Sequence, residues 1–171
     1  MARTFSDIHK SVILVVDVQP KFMSGVYEAD RVLKRIEFLV QSANILGGTV
    51  VATEQNREKM GGTAESLLPF LSEPPADKMI FSCSGCDLYR RHLGSSTPIQ
   101  VVLVGIETHI CVSQTAHELL DLGHEVIICA DAVSSRTQDR HEIGLERLRS
   151  AGAVIAHSES VVYEWMKSAE H

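Results

Sequence analysis

Short runs of apolar, mostly β-branched residues alternate with helical patterns along the chain, and this alternation restricts the fold more than any other feature. The first run, Val12 to Val16, has no alternating polar residues, which is typical of a strand buried on both faces. Similar runs recur at 49–53, 100–104, 125–129 and 153–156. The sequence therefore predicts at least five short, buried strands.

Between these runs, apolar residues are spaced three and four apart, as on one face of a helix. Such segments lie at 32–43, 108–123 and 138–151 and from residue 158 onward, with shorter ones at 63–71 and 85–93. We expect Thr108 and Ser158 to cap two of the helices, and the pair Gly47 and Gly48 to end the first. A short strand is predicted near 78–81 in the less regular segment 55–96.

Strand and helix in strict alternation predict right-handed crossovers, and therefore a doubly wound α/β fold with a parallel sheet between two layers of helices. A chain of 171 residues is about one domain long. Its composition, 44% hydrophobic and 22% charged, is typical of a folded protein rather than a disordered one. We see no internal repeat or linker, so a single domain over 1–171 is expected.

Charge and hydropathy narrow the possible partners. The chain has 16 Lys and Arg against 22 Asp and Glu, a net charge of −6, and no basic run, which argues against nucleic acid and anionic membranes. The apolar runs are about five residues long, whereas a membrane-spanning helix needs about 20. We expect a cytoplasmic protein with its four cysteines reduced. No dinucleotide or Walker motif is present, so no cofactor is predicted.

Three residues at strand ends are candidates for chemistry, because ligands of open parallel sheets bind at the carboxyl ends of the strands: Asp17, Lys78 and Cys111. The alternative for Lys78 is a solvated surface group. Asp17 directly follows the first strand, where a carboxylate is costly to bury without a partner, although a loop or helix cap is the simpler reading. Cys111 lies three residues after Thr108. A thiol in a first helical turn has a lowered pKa, which favours a nucleophile, although a small buried apolar residue is the alternative.

Other motifs carry weaker predictions. Cys83 and Cys86 have the C-x-x-C spacing of redox dithiols and of half a zinc site, but neither a thioredoxin-like setting nor a second ligand pair is evident. Cys129 lies inside an apolar run and is expected to be core. The turn at 61–63 is either an anion-binding nest or, more simply, a turn with a helix cap.

Three separated motifs together resemble the isochorismatase-like cysteine hydrolase superfamily. They are Asp17-Val18-Gln19, Lys78 before Ile80-Phe81-Ser82, and Gly105-Ile106-Glu107-Thr108-His109-Ile110-Cys111-Val112. The motifs follow the family's order and extend over nearly the whole chain. The resemblance implies a six-stranded parallel sheet in the order 3-2-1-4-5-6 and a catalytic triad of Asp17, Lys78 and Cys111.

The resemblance also implies a role for each residue. Cys111 would attack a small amide or related C–N substrate and form a thioester, with Asp17 as general acid and base. Lys78 would stabilise the thiolate and keep Asp17 ionised. The family places a cis peptide four residues before the cysteine, here Ile106–Glu107, and the N–H groups of Glu107 and Cys111 would then form an oxyanion hole.

The sequence departs from the nicotinamidase branch, which binds a metal through an Asp-x-His pair and a further His after the second strand. Here that stretch is Thr53-Glu54-Gln55-Asn56-Arg57, and no histidine lies between His9 and His92. No metal site is therefore predicted, and the stretch is similar to that of a non-nicotinamidase subgroup. The presence of Cys111 also argues against vinyl-ether cleavage, since isochorismatase itself lacks that cysteine.

The substrate is expected to be a small molecule, and family members are commonly homo-oligomers, which the resemblance implies here too. Candidate substrate contacts are Gln19, Phe22, Glu54, Gln55 and His109. Three alternatives stay open: a catalytically quiet assembly module, a nicotinamidase, and a dithiol oxidoreductase that uses Cys83 and Cys86.

Overall fold

The computed structural model, which describes residues 5–94 and 99–170, contains a six-stranded parallel sheet. Its strands are β1 (Ser11–Val16), β2 (Thr49–Gln55), β3 (Ala76–Lys78), β4 (Gln100–Ile106), β5 (Glu125–Ser134) and β6 (Val154–Ala156). Their order is β3-β2-β1-β4-β5-β6, and all five pairings are parallel. The predicted sheet and its strand order are confirmed.

Seven α-helices lie within the described residues. They are α1 (Pro20–Met23), α2 (Ala29–Ile45), α3 (Arg57–Met60), α4 (Asp87–His92), α5 (Ser113–Asp121), α6 (Gln138–Ala151) and α7 (Ser158–Met166). Short 3₁₀ turns occur at Ile8–Lys10, Leu68–Phe70 and Cys83–Gly85, and a π-helical turn occurs at Thr108–Val112. None of the helices in this part of the chain is long and apolar enough to cross a membrane.

Strand β1 is buried on both faces, as its unbroken apolar run predicts. Ile13 and Val15 belong to one core, which also contains the apolar faces of α2 and α7. Leu14 belongs to a second core, to which α4, α5 and α6 contribute Leu88, Leu119 and Leu148. Helices therefore cover both faces of the sheet.

The register of the strands brings four chain segments together at the carboxyl ends of the strands. Val16, the last residue of β1, lies opposite Thr53 of β2 on one side and Gly105 of β4 on the other. Lys78, the last residue of β3, lies opposite Gln55. Gly105 has a φ of +111°, and a Cβ there would collide with the backbone of Val16, so only glycine fits beside β1.

The segment between β2 and β4 differs from the sequence prediction. The helix expected at 63–71 is wrong, since only the 3₁₀ turn Leu68–Phe70 forms; Pro69 lacks an N–H, and Thr63 is bonded to Glu54 instead. The strand expected at 78–81 ends at Lys78, because the Lys78 amine turns back onto the carbonyls of the two residues before Ser82. Residues 95–98, where the predicted segment ends, lie outside the described residues.

The predicted C-cap of α2 at Gly47 and Gly48 is confirmed, since Gly47 has a φ of +76° and the N–H groups of both glycines donate to carbonyls of the last helical turn. The two predicted N-caps are wrong. Glu107 is the N-cap residue of the π-helical turn, and Thr108 lies inside it with its hydroxyl 3.0 Å from Nδ1 of His141. His157 caps α7 by accepting from the N–H of Glu159. Ser158 is the first residue of that helix, and it is bonded to the buried Asp131.

Candidate active site

Both the backbone and the side chain of Asp17 make hydrogen bonds that hold the residue in place. It lies just beyond β1 in the left-handed region, with φ of 52°, and its N–H donates to the carbonyl of Thr53 at 3.1 Å. Its Oδ2 accepts from Nζ of Lys78 at 2.8 Å, and its Oδ1 accepts from Oγ1 of Thr53 at 2.9 Å. The carboxylate is buried and has the partners that burial of a charge requires.

Lys78 is a buried cation, whereas an arbitrary lysine would be solvated. Its side chain is 0% exposed, and besides Asp17 its ammonium donates to Oε1 of Gln55 at 2.6 Å and to the carbonyl of Phe81 at 2.9 Å. The carbonyl of Ile80 lies at 3.3 Å. This set of acceptors fixes the ammonium next to Asp17 at the end of β3.

Cys111 lies in the π-helical turn between β4 and α5 and is buried. Burial raises the pKa of its thiol well above the usual range, the negative charge and hydrogen bonding of Asp17 raise it further, and Lys78 lowers it. The expectation that the helix dipole lowers the pKa of Cys111 is therefore wrong, because desolvation and a neighbouring carboxylate outweigh the dipole. Cys111 therefore rests as a thiol, and its side chain is hydrogen-bonded to Asp17.

Asp17 and Cys111 line the same cavity, whose volume is about 70 Å³. Its other walls include Phe22, Phe81 and Ile110, together with Gln55. Pockets for drug-sized ligands measure about 300–1,000 Å³, so this cavity is small. It brings the Asp17 carboxylate and the Cys111 thiol together in a largely apolar space.

The peptide bond between Ile106 and Glu107 is cis, and both residues line the cavity. The carbonyl of Glu107 accepts from the N–H groups of Ile110 and Val112, at 3.0 and 3.2 Å. Its carboxylate accepts from the backbone N–H and Nε of Arg136, at 2.9 and 3.1 Å. These bonds fix the turn that carries Cys111, while the oxyanion hole itself stays a prediction.

Of the five candidate substrate contacts, Phe22 and Gln55 line the cavity and three do not. The amide of Gln19 bonds the carbonyl of Gly61 at 2.6 Å and the N–H of Gln55 at 2.7 Å. Glu54 accepts from the N–H and hydroxyl of Thr63, which occupies an amide that an anion nest at 61–63 would need. His109 pairs with Ser135, and burial lowers the pKa of its imidazole.

The residues that replace the nicotinamidase metal ligands do not fit a metal. Glu54 is bonded to Thr63, and the amide of Gln55 is bonded to Lys78 and to the carbonyl of Met79. Within residues 5–94 and 99–170, no group of three or more His, Cys, Asp or Glu is placed to hold a metal ion.

The C-x-x-C thiols are engaged in hydrogen bonds rather than poised for redox chemistry. Cys86 donates to the carbonyl of Cys83 at 3.0 Å, and Cys83 lies 3.5 Å from Oγ1 of Thr53. Burial raises the pKa of both thiols, that of Cys83 to about 12. Reactive dithiols need the opposite shift. Cys129 is buried in the core, as expected.

Thr53 is a site residue that the sequence motifs did not identify. It is fully buried and contacts both Asp17 and Cys83 through its hydroxyl. In the sequence it is only the first residue of the stretch 53–57 that replaces the nicotinamidase ligands, because its contacts depend on lying opposite Val16 in the sheet. The available signal was its position near the carboxyl end of the strand beside β1.

Residues 11–160 match the family described as Isochorismatase domain. The chain belongs to the isochorismatase-like hydrolase superfamily. The secreted isochorismatase effector Isc1 of Phytophthora sojae is 37% identical over 162 residues, which cover 91% of this chain and 77% of the relative. The family assignment that the three motifs suggested is confirmed.

Two solved structures of this superfamily show the same fold. The MAR1 ribonuclease of Caenorhabditis elegans is 30% identical, has a TM-score of 0.91, and aligns over 98% of this chain and 87% of its own. The YcaC gene product of Escherichia coli, described as an octameric hydrolase of unknown specificity, has a TM-score of 0.87 over 99% and 86% of the two chains. At 18% identity, the second likeness concerns the fold alone.

Proposed function

We propose that the protein is a metal-independent cysteine hydrolase that cleaves small amides or related C–N bonds through a thioester on Cys111. One observation carries this proposal: the carboxylate of Asp17 interacts with both the Lys78 ammonium and the Cys111 thiol, and Asp17 and Cys111 share one cavity. A nucleophile, its base and a fixed cation are the groups that acyl transfer requires.

In the first half of the reaction, Asp17 takes the proton from the thiol of Cys111 as the sulfur attacks the carbonyl carbon. The negative charge moves to the substrate oxygen, where the N–H groups of Glu107 and Cys111 would receive it. Asp17 then gives the same proton to the leaving nitrogen, the C–N bond breaks, and an amine or ammonia leaves. The acyl group remains on sulfur as a thioester.

In the second half, Asp17 removes a proton from water, and the resulting hydroxide attacks the thioester carbon. The C–S bond breaks, Cys111 recovers its proton from Asp17, and the carboxylic acid is released. Lys78 keeps its charge throughout and stabilises the anionic groups on either side of the proton transfer. The raised pKa of Cys111 fits this scheme, because the proton then leaves only when the attack occurs.

The cavity favours short acyl groups. Its small volume of about 70 Å³ and its apolar walls of Phe22, Phe81 and Ile110 favour a short acyl group. Primary amides such as acetamide and propionamide are therefore the first substrates to test. Nicotinamide is expected to be poor, because its ring needs more room than a short acyl group and because Glu54 and Gln55, at the position of the nicotinamidase metal ligands, do not fit a metal.

The test measures ammonia release from formamide, acetamide, propionamide and nicotinamide. Wild type should release ammonia from a short amide, and hydroxylamine should divert the thioester to the hydroxamate. Cys111→Ala should lose both products, whereas the matched control Cys86→Ala should keep both. Turnover by Cys111→Ala, or an absence of turnover and of hydroxamate across the panel, would contradict the proposed reaction and favour the catalytically quiet module.

A second candidate function is RNA cleavage, because the worm relative at 30% identity is described as a ribonuclease. The net charge of −6 and the small cavity make this chain a poor match for an RNA strand. Incubation with a labelled single-stranded RNA, with Asp17→Asn as control, distinguishes the two functions. Cleavage that Asp17→Asn abolishes would support the ribonuclease.

We also propose that the protein is a homo-oligomer in the cytoplasm. The exposed apolar side chains of Met79, Ile80 and Phe81, next to the cavity, support an interface, and a structural neighbour is described as octameric. The four cysteines are all free thiols, as a reducing compartment requires. Light scattering after size exclusion and cell fractionation test these two statements. A monomeric mass or a secreted protein would contradict them.

A further inference from the structure

The hydroxyl of Thr53 has a single hydrogen, and its position follows from the neighbouring groups. A hydroxyl donates one hydrogen bond, whereas an ionised carboxylate only accepts. Oγ1 of Thr53 lies 2.9 Å from Oδ1 of Asp17, so its hydrogen is used there. The second neighbour of Oγ1, the sulfur of Cys83 at 3.5 Å, must therefore be the donor in that contact.

Cys83 is protonated and held in a position from which it can donate this hydrogen. It is fully buried, and burial keeps its pKa near 12, so the sulfur carries its proton. Its backbone N–H donates to Oγ1 of Thr115 at 3.0 Å, and its carbonyl accepts from Cys86 at 3.0 Å. These two bonds hold Cys83 in place, and they give the C-x-x-C motif a role other than redox chemistry.

The result is a directional chain of hydrogen bonds, from Cys83 to Thr53 to Asp17, in a site shielded from water. Bonds in such a chain polarise one another, and bonds to a charged acceptor are stronger than neutral ones. The carbonyl of Thr53 also accepts from the backbone N–H of Asp17, so Thr53 is bonded to both the backbone and the side chain of Asp17. These two bonds hold the carboxylate in the orientation in which it also contacts Lys78 and Cys111.

We propose that Thr53 is a positioning residue, oriented by Cys83, that aims the carboxylate of Asp17 at the thiol of Cys111. This inference rests on the proposed function, in which Asp17 takes that proton. It needs no substrate for its test, since alkylation of Cys111 requires the same proton transfer.

The experiment compares Thr53→Val, which keeps the shape and removes the hydroxyl, with Thr53→Ser, which keeps the hydroxyl. The rate of Cys111 alkylation by iodoacetamide, located by peptide mass spectrometry, should fall about tenfold or more in Thr53→Val. Thr53→Ser should stay within about threefold of wild type. Cys83→Ala should slow alkylation less than Thr53→Val does, and the control Cys129→Ala, which removes a buried thiol from the other core, should leave the rate unchanged.

If Thr53 had only a structural role, the alkylation rates would follow the stability of the variants and not the presence of the hydroxyl. Urea unfolding of each variant therefore accompanies the kinetics, which are measured where every variant is folded. Equal rates for Thr53→Val and wild type would overturn the inference, as would an equal loss in Thr53→Val and Thr53→Ser. Failure of the proposed function would appear separately, as amide turnover that persists in Cys111→Ala.

Discussion

Replacing Lys78 with methionine tests the buried ion pair at the centre of the site. Methionine has a similar length, so the change removes the charge and the N–H donors with little change of shape. The ammonium is 0% exposed and donates to Asp17, Gln55 and the carbonyl of Phe81, so all three acceptors lose a donor. Removing one partner of a buried ion pair typically costs about 3–5 kcal/mol.

We therefore expect the free energy of unfolding of Lys78→Met to fall by about 3–5 kcal/mol. Domains of this size are stable by about 5–15 kcal/mol, so the fold should persist in a weakened form. Urea unfolding followed by circular dichroism and by the fluorescence of Trp165, the only tryptophan, measures the loss. Lys21→Met is the matched control, because the side chain of Lys21 is exposed and its ammonium donates to the carbonyl of Lys59 at the surface. The free energy of unfolding of this control should stay within about 0.5 kcal/mol of wild type.

The double variant Asp17→Asn/Lys78→Met separates charge from packing. Once the carboxylate is neutral, the missing ammonium leaves no uncompensated buried charge, so the double loss should be smaller than the sum of the single losses by about 1–3 kcal/mol. Alkylation of Cys111 should slow about tenfold or more in Lys78→Met, since one pKa unit is a factor of ten in thiolate and Lys78 lowers the pKa of this thiol. Additive losses, or a single loss below about 1 kcal/mol, would refute the reasoning.

Three further predictions test other parts of the structure. Asp17→Asn should lower amide turnover to less than about a tenth of wild type, measured as ammonia release, because the variant cannot carry the proton; higher residual activity would exclude that role. Burial lowers the pKa of His141 from 6.5, so the unfolded chain binds this proton first and the free energy of unfolding should fall as the pH drops below 6.5. Urea unfolding at several pH values across that range should show a weaker dependence of the free energy of unfolding on pH in His141→Asn. An unchanged dependence would assign the effect to other groups. Prolonged dialysis against a chelator should change neither stability nor turnover, and elemental analysis should find substoichiometric transition metal; a stoichiometric metal needed for activity would mean that its ligands have been missed.

The parts of the fold that the sequence predicted are those with a strong local signal. Central parallel strands are buried on both faces, so β1, β4 and the first half of β5 read as unbroken apolar runs. The long helices α2 and α6 keep a regular apolar face, and the predicted 138–151 matches α6 residue for residue. Asp17 and Cys111 follow from the rule that ligands bind at carboxyl ends of strands.

What the sequence did not predict depends on contacts between distant segments. The pKa of Cys111 was expected to fall because the helix dipole is a local property, whereas its burial and the charge of Asp17 appear only when β1 and β4 lie side by side. The apolar spacing at 63–71 resembles a helix, but a hydrogen bond from Thr63 to Glu54 competes with helical bonding there. No signal within the stretch 53–57 sets Thr53 apart, and only the register of β2 against β1 reveals its contact with Asp17.

The register of the sheet also explains why this site requires four neighbouring parallel strands. Asp17 extends from β1, Thr53 belongs to β2, Lys78 ends β3, and Cys111 lies in the turn after β4, so four adjacent strands each contribute one group. Asp17 follows β1, one of the two inner strands of the four, and its carboxylate contacts groups from β2 and β3 on one side and from the turn after β4 on the other. Because the thiol pKa is raised rather than lowered, the charge that drives the proposed attack must be generated by Asp17 and not stored on sulfur. The groups that fix Asp17, namely Thr53 and Lys78, are therefore expected to control the reactivity of Cys111 more strongly than the helical turn that carries it.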